Sequence, residues 1–166
     1  MDKSIVLNGV KSLLFLLFSG SCLLQDLKKK SISERTFRLF ALPGALLRLY
    51  ELSMLWNTGG YKEALKNGII CFILPALLII ISYLTMEAIG RGDGLYFLVS
   101  ALYLSPGENL CLFIFAAAFA ALAGLSVIAF GKAEKKRLPF MAFVFPKALQ
   151  LGLKGIMAVL SGRNMI

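Results

Sequence analysis

Histidine is absent from the chain, and cysteine is scarce. The three cysteines, Cys22, Cys71 and Cys111, each lie inside an apolar run, and none belongs to a Cys-x-x-Cys pair. Zinc sites and Ser-His or Cys-His catalysis therefore lack their usual ligands and general base. We expect no metal and no other cofactor, and we expect the cysteines to pack as small hydrophobic side chains.

Long apolar runs dominate what the sequence does contain. Of its 166 residues 58% are hydrophobic, and the mean hydropathy is +0.80. Residues 68–86 carry no charge for 19 positions, and residues 109–131 form a longer uncharged run. A helix of such length crosses a hydrocarbon core of roughly 30 Å, at about 1.5 Å per residue. The sequence therefore predicts an all-α membrane protein with several transmembrane helices.

The apolar pattern divides into about six predicted spans. The second is the weakest, because Arg38, Arg48 and Glu51 interrupt it. The second and sixth spans could instead lie partly in the membrane interface. The connecting segments are short, so we expect residues 1–166 to form a single membrane-embedded domain. The predicted spans are residues 5–25, 36–55, 66–89, 94–104, 109–131 and 139–161.

The basic residues indicate an orientation. The formal net charge is +9, which in a soluble protein would favour nucleic-acid binding, but here the basic residues cluster between the spans, and we expect no nucleic-acid partner. The positive-inside rule places the more basic side in the cytoplasm and the N-terminus outside an inner (plasma) membrane. The basic side carries Lys28, Lys29, Lys30, Arg35, Arg38, Arg91, Lys132, Lys135, Lys136 and Arg137, and the other side Lys3, Lys62, Lys66 and Arg163.

The N-terminal segment has an alternative interpretation. Lys3 and Lys11 precede an apolar run and the small residues Ser19 to Ser21, a pattern similar to a cleavable signal peptide. The three lysines at 28–30 directly after the run oppose translocation and favour a retained helix.

Two of the three aspartates occupy comparable places. Asp26 ends the first span and Asp93 follows the third, and because these spans run in the same direction, both carboxyl groups should reach the same membrane face. Carboxyl groups that approach closely share one proton, and aspartic proteases use such a pair to activate water. The alternatives are structural: Asp26 pairing with Lys29 or Lys30, and Asp93 as the N-cap of the fourth span.

The residues around Asp93 favour a site. Gly90 and Gly92 would let a second backbone approach the carboxyl group, as a peptidase acting on an extended strand requires. Glu87 is a weak candidate for binding a basic substrate, and the alternative is an interfacial residue that balances Arg91, four positions later.

Three segments in order resemble the type IV prepilin peptidases, which are intramembrane aspartic peptidases with a Gly-x-Gly-Asp motif. Gly94-Leu95 stands where that family has an apolar residue and Lys, and Ser33 where it usually has Pro. In chain order, the matching segments are Asp26 with Lys28 to Lys30 and Ile32, then Gly90-Arg91-Gly92-Asp93, and finally Lys135-Lys136-Arg137-Leu138-Pro139-Phe140.

The resemblance implies that Asp26 and Asp93 are the catalytic pair, with Gly90 and Gly92 in support. It implies cleavage of the basic leader of prepilin-like proteins at the cytoplasmic membrane face, in a type IV pilus or a related secretion system. The chain resembles a short form without the methyltransferase region, so we expect peptidase activity only. The expected partners are a prepilin-like substrate and the lipid bilayer, and the oligomeric state stays open.

The alternative is a catalytically divergent or non-catalytic membrane protein, either a small transporter or a scaffold for pilus assembly. A transporter would more naturally place charges or broken helices near the membrane midplane.

Overall fold

The computed structural model describes residues 3–56, 60–84, 91–129 and 140–161, and these ranges are helical, without a strand. The prediction of an all-α protein is therefore confirmed. The structure contains the helices α1 (Lys3–Lys29), α2 (Glu34–Trp56), α3 (Tyr61–Leu84), α4 (Arg91–Ser100), α5 (Pro106–Ala129) and α6 (Phe140–Leu160).

Five of the described helices, α1, α2, α3, α5 and α6, are long and apolar enough to cross a membrane. These five include α2 and α6, the second and sixth predicted spans. The fourth predicted span, residues 94–104, divides into the end of α4 and a turn at 101–104. With 10 residues, α4 rises only about 15 Å, which is half of a bilayer core.

The closest helix pair is α1 and α6, which pack along one another through glycines. A Cβ atom added to Gly152 would lie 2.3 Å from Leu16 Cγ, and one added to Gly9 would lie 2.7 Å from Val159 Cγ2. Small residues allow such close approach between membrane helices. The alanines at 116–118, 120, 121 and 123 of α5 predict close helix packing from the sequence, but Ala117, Ala118 and Ala121 are exposed, and Ala116 is the one buried alanine among these six.

The outward faces of the helices are apolar. On α2, for example, Leu39, Leu42, Leu46 and Leu49 are each more than half exposed, and exposed Leu and Ile side chains also follow α3. Soluble proteins rarely expose apolar surfaces as large as these, and a lipid bilayer would cover them. Cys22 and Cys71 are buried as expected, whereas the prediction of packing is wrong for Cys111, which is exposed on α5.

Candidate active site

Asp26 lies in the last turn of α1 and is only 8% exposed. Its Oδ2 atom accepts a hydrogen bond of 2.9 Å from the backbone N–H of Met141, in the first turn of α6. The first N–H groups of a helix have no partner within the helix, and a carboxylate is a strong acceptor for them. In the described ranges no salt bridge joins Asp26 to Lys29 or Lys30. The first carboxyl group is therefore fixed between the first and last helices.

The turn after α1 is held by backbone and side-chain hydrogen bonds. The Lys30 N–H donates to the Asp26 carbonyl oxygen at 2.8 Å, and Lys30 has a positive φ of 51°, which ends the helix. Gln25 spans the turn, because its Oε1 accepts from the Ser33 N–H at 2.9 Å and its Nε2 donates to Thr36 Oγ1 at 2.7 Å. These bonds fix the end of α1 on which Asp26 lies.

Asp93 lies in the first turn of α4 and is partly buried. Since α4 begins at Arg91, Asp93 is the third residue of the helix and not its N-cap. One turn later, the Tyr96 hydroxyl shares a buried hydrogen bond of 2.9 Å with the Ser19 hydroxyl of α1. The Tyr96 ring also stacks on Phe18, with 5.2 Å between ring centroids. These contacts bind α4 to the helix that carries Asp26.

The two carboxyl groups interact. Burial and, to a smaller extent, the negative charge of Asp26 together raise the pKa of Asp93 from its ordinary value near 4 to about 7. A carboxyl group with such a pKa is largely protonated at slightly acidic pH and can donate a proton. The structure thus brings two sequence-distant aspartates within electrostatic interaction of one another, and the pKa of one of them, Asp93, is raised to about 7.

Two glycines next to Asp93 differ in their surroundings. An added Cβ at Gly92 would meet no atom within 4 Å, whereas one at Gly94 would lie 2.7 Å from Ile79 Cγ1 and 3.3 Å from the Ile79 backbone nitrogen. Gly94 therefore permits α4 to pack on α3, which gives a structural reason for glycine at this position. Gly90 and Glu87, the other candidates of the sequence, lie outside the described residues.

Alanine substitutions should separate these two roles. Gly94→Ala should destabilise the protein by about 1–3 kcal/mol, because the helices must move apart. Gly92→Ala should keep the thermal midpoint or raise it by about 1–3 °C, because alanine favours the helix and meets no neighbouring atom. If the chain has the peptidase activity that the resemblance implies and the space beside Gly92 admits a peptide backbone, Gly92→Ala should nevertheless slow cleavage of a prepilin-like precursor about tenfold. Thermal unfolding in detergent and a cleavage time course measure both effects. Equal loss of stability in the two variants would contradict this assignment.

A second charged cluster, which the sequence did not predict, lies at the other end of the bundle. Lys11 Nζ and Arg48 Nη1 each lie 2.6 Å from the same oxygen of Glu51, Oε2, and Arg48 Nη2 donates to the Leu104 carbonyl oxygen at 3.3 Å. Lys11 precedes Asp26 by about 22 Å along α1. In the sequence, Arg48 and Glu51 are interpreted only as charged residues that interrupt the second predicted span. Their spacing of three residues inside an apolar helix was the available signal for a buried ion pair.

The described ranges offer no group of three or more His, Cys, Asp or Glu side chains that could hold a metal ion. Two carboxyl groups of this kind, one of them with a raised pKa, can exchange protons with a bound molecule. Comparisons of the chain with known protein families, with curated proteins and with solved structures give no match.

Proposed function

We propose that the protein is a membrane aspartic endopeptidase that removes the basic leader of prepilin-like proteins. The observation that carries the proposal is the interaction between Asp26 and Asp93, which are 67 positions apart in the chain, at one end of a helix bundle. Burial and this interaction together raise the pKa of Asp93 to about 7, which supports the role of proton donor in the acid–base pair of an aspartic peptidase. The Gly-x-Gly-Asp resemblance supplies the substrate class.

In the proposed reaction one carboxyl group acts as the general base and the other as the general acid. Asp26, as the carboxylate, takes a proton from a water molecule, and the water oxygen forms a bond to the carbon of the scissile carbonyl. Asp93, as the protonated acid, donates its proton to the carbonyl oxygen. The tetrahedral intermediate then collapses and the C–N bond breaks. The leaving amine takes the proton that Asp26 had removed from water, and a hydroxyl group of the intermediate returns a proton to Asp93 as the carboxylic acid product forms.

The location of the pair fits such a substrate. Asp26 lies at the end of a spanning helix, and α4 is too short to cross the bilayer, so the pair lies near a membrane boundary. A precursor with an apolar helical stem would stay in the bilayer, while its leader reached the pair. By the positive-inside rule this boundary is the cytoplasmic one.

A cleavage assay tests the proposal. The purified full-length protein in detergent is incubated with a prepilin-like precursor, and mass spectrometry locates the cut. We expect one cut between the basic leader and the apolar stem, with no loss of rate in EDTA. A precursor whose leader lysines are changed to glutamine serves as the matched substrate control and should be cut more slowly. An intact precursor after prolonged incubation with folded protein would refute the proposal.

The non-catalytic alternative also has one observation in its favour. The cluster of Lys11, which is buried, with the partly buried Arg48 and Glu51 lies between α1 and α2, and ionisable side chains within spanning helices often mark substrate or ion pathways. A small transporter would use this cluster and would leave the precursor uncut. The cleavage assay therefore also separates the two candidates.

A further inference from the structure

A cavity of about 690 Å³ opens at the end of the bundle that lies away from Asp26 and Asp93. Residues of α1, α2, α3, α5 and α6 line it, together with the turn that precedes α5, and its volume falls in the range of small-molecule sites. The charged residues of its lining are Lys11, Arg48, Glu51, Glu63, Glu108 and Lys154.

The inner part of this cavity carries an excess of positive charge. Lys11 and Arg48 share a single carboxylate, that of Glu51, and the side chain of Lys11 is only 7% exposed. Arg48 Nε is buried and has no hydrogen-bond partner among the described residues. Two cations with one anion in a region of low dielectric constant are incompletely compensated. This part of the cavity therefore favours an anionic group.

The rim adds negative charge. Glu63 is exposed on α3, and the Glu108 carboxylate accepts hydrogen bonds from the Ser105 N–H at 3.0 Å and the Ser105 hydroxyl at 2.8 Å. Leu104 directly precedes Ser105, and its carbonyl oxygen accepts a hydrogen bond from Arg48. The Arg48 guanidinium and the Glu108 carboxylate are therefore bound to adjacent residues of the same turn. The exposed Lys154 adds one positive charge to the rim, against the two negative charges of Glu63 and Glu108. A simple anion would be attracted by the inner part and repelled by the net negative charge of the rim, whereas a zwitterion satisfies both.

The cavity also lies at a depth that suits a lipid. Lys11 is about 12 Å along α1 from its first residue, and Arg48 is about 12 Å along α2 from its last, so both lie in one half of the membrane. Apolar side chains, among them Phe15, Leu55 and Leu151, complete the lining. An occupant with a polar head and an apolar tail fits this mixture.

We propose that the cavity binds the phosphoethanolamine head group of a membrane phospholipid, with the phosphate near Lys11 and Arg48 and the ammonium near Glu63 and Glu108. A primary ammonium group can donate hydrogen bonds to these carboxylates, which a quaternary ammonium group cannot. The lipid site is separate from the aspartate pair and does not depend on peptidase activity.

Native mass spectrometry of the purified protein tests the site. Phosphatidylethanolamine, phosphatidylglycerol and phosphatidylcholine are added separately in detergent, and inorganic phosphate is added as a competitor. We expect phosphatidylethanolamine to bind about tenfold more tightly than the other two lipids. Millimolar inorganic phosphate should not displace it. Equal binding of the three lipids, or displacement by phosphate alone, would overturn the head-group assignment.

Substitutions at exposed positions keep the test independent of folding. Glu63→Gln should reduce the preference for phosphatidylethanolamine over phosphatidylglycerol about fivefold, because it removes a partner of the ammonium group alone. Lys154→Gln should weaken both lipids. Lys66→Gln is the matched control, since it removes an exposed charge on α3 outside the cavity lining and should change neither. An unchanged lipid preference in Glu63→Gln would overturn the proposal.

Discussion

Asp26→Asn should lower the rate of precursor cleavage by about a thousandfold or more and leave the protein folded. The amide cannot take a proton from water, so the proposed general base is lost. The amide oxygen can still accept the hydrogen bond that the Met141 N–H donates at 2.9 Å to the wild-type carboxylate. Single-turnover cleavage and thermal unfolding of the same preparation measure the two effects.

Asp26→Ala distinguishes catalysis from structure at the same position. It should be equally inactive, but it also leaves the Met141 N–H without its acceptor, which should cost about 1–3 kcal/mol and lower the thermal midpoint by about 5 °C. Glu34→Gln, which changes an exposed acidic residue at the same end of the bundle, is the matched control and should remain active. Residual cleavage by Asp26→Asn near the wild-type rate would exclude Asp26 as the base.

Cleavage by the wild-type protein should fall as the pH rises through about 7. The proposed acid is Asp93, whose pKa is raised to about 7, so its proton is present below that pH and lost above it. Between pH 6 and pH 9 the rate should decrease about 100-fold, in proportion to the protonated fraction. A rate measured from pH 5 to pH 9, with folding checked at each pH, provides the test. A flat profile above pH 7 would contradict the assignment of Asp93 as the acid.

The same raised pKa should make Asp93→Asn more stable than the wild type at high pH. The folded state binds the Asp93 proton more tightly than the unfolded chain, so this group's contribution to stability is greatest below about pH 4 and is lost as the pH rises to about 7. At pH 8 the free energy of unfolding of Asp93→Asn should exceed that of the wild type by about 2 kcal/mol, which corresponds to about 5 °C in the thermal midpoint. This figure is reduced from the full pKa shift because Asp93 is partly exposed to solvent. At pH 4 the difference should be close to zero. Cleavage should be abolished at both pH values.

Glu34→Gln is again the control and should show no such pH-dependent gain, because Glu34 is exposed and pairs with Arg38 at the surface. A gain for Asp93→Asn of equal size at pH 4 and pH 8 would show that ionisation of this carboxyl group is not its cause.

The helices could be predicted from the sequence because each depends on a local property. Uncharged runs near residues 68–86 and 109–131 require a helix wherever lipid surrounds them, since no other conformation satisfies the backbone there. The placement of Asp26 and Asp93 at one end of the bundle also followed from counting spans, because parity alone decides the membrane side on which a loop emerges.

Contacts between helices could not be predicted in this way. The hydrogen bond from Met141 to Asp26 joins residues 115 positions apart, and no periodicity indicates which helix end will meet a given carboxyl group. The close approach of α1 and α6 depends on Gly152 facing Leu16, whereas the more conspicuous alanines of α5 are largely exposed. The ion pair between Lys11 and Glu51 joins α1 to α2 across 40 positions, and it too could not be predicted from the sequence.

The hydrogen bond between Asp26 and α6 bears on the order in which the membrane protein is built. The first helix leaves the ribosome long before the sixth, so the Asp26 carboxylate has no α6 backbone to bind until α6 has been synthesised. The helix that carries Asp93 is already complete by then. The proposed carboxyl pair should therefore reach its final geometry only after α6 has packed on α1, so a chain that lacks α6 should not cut a precursor.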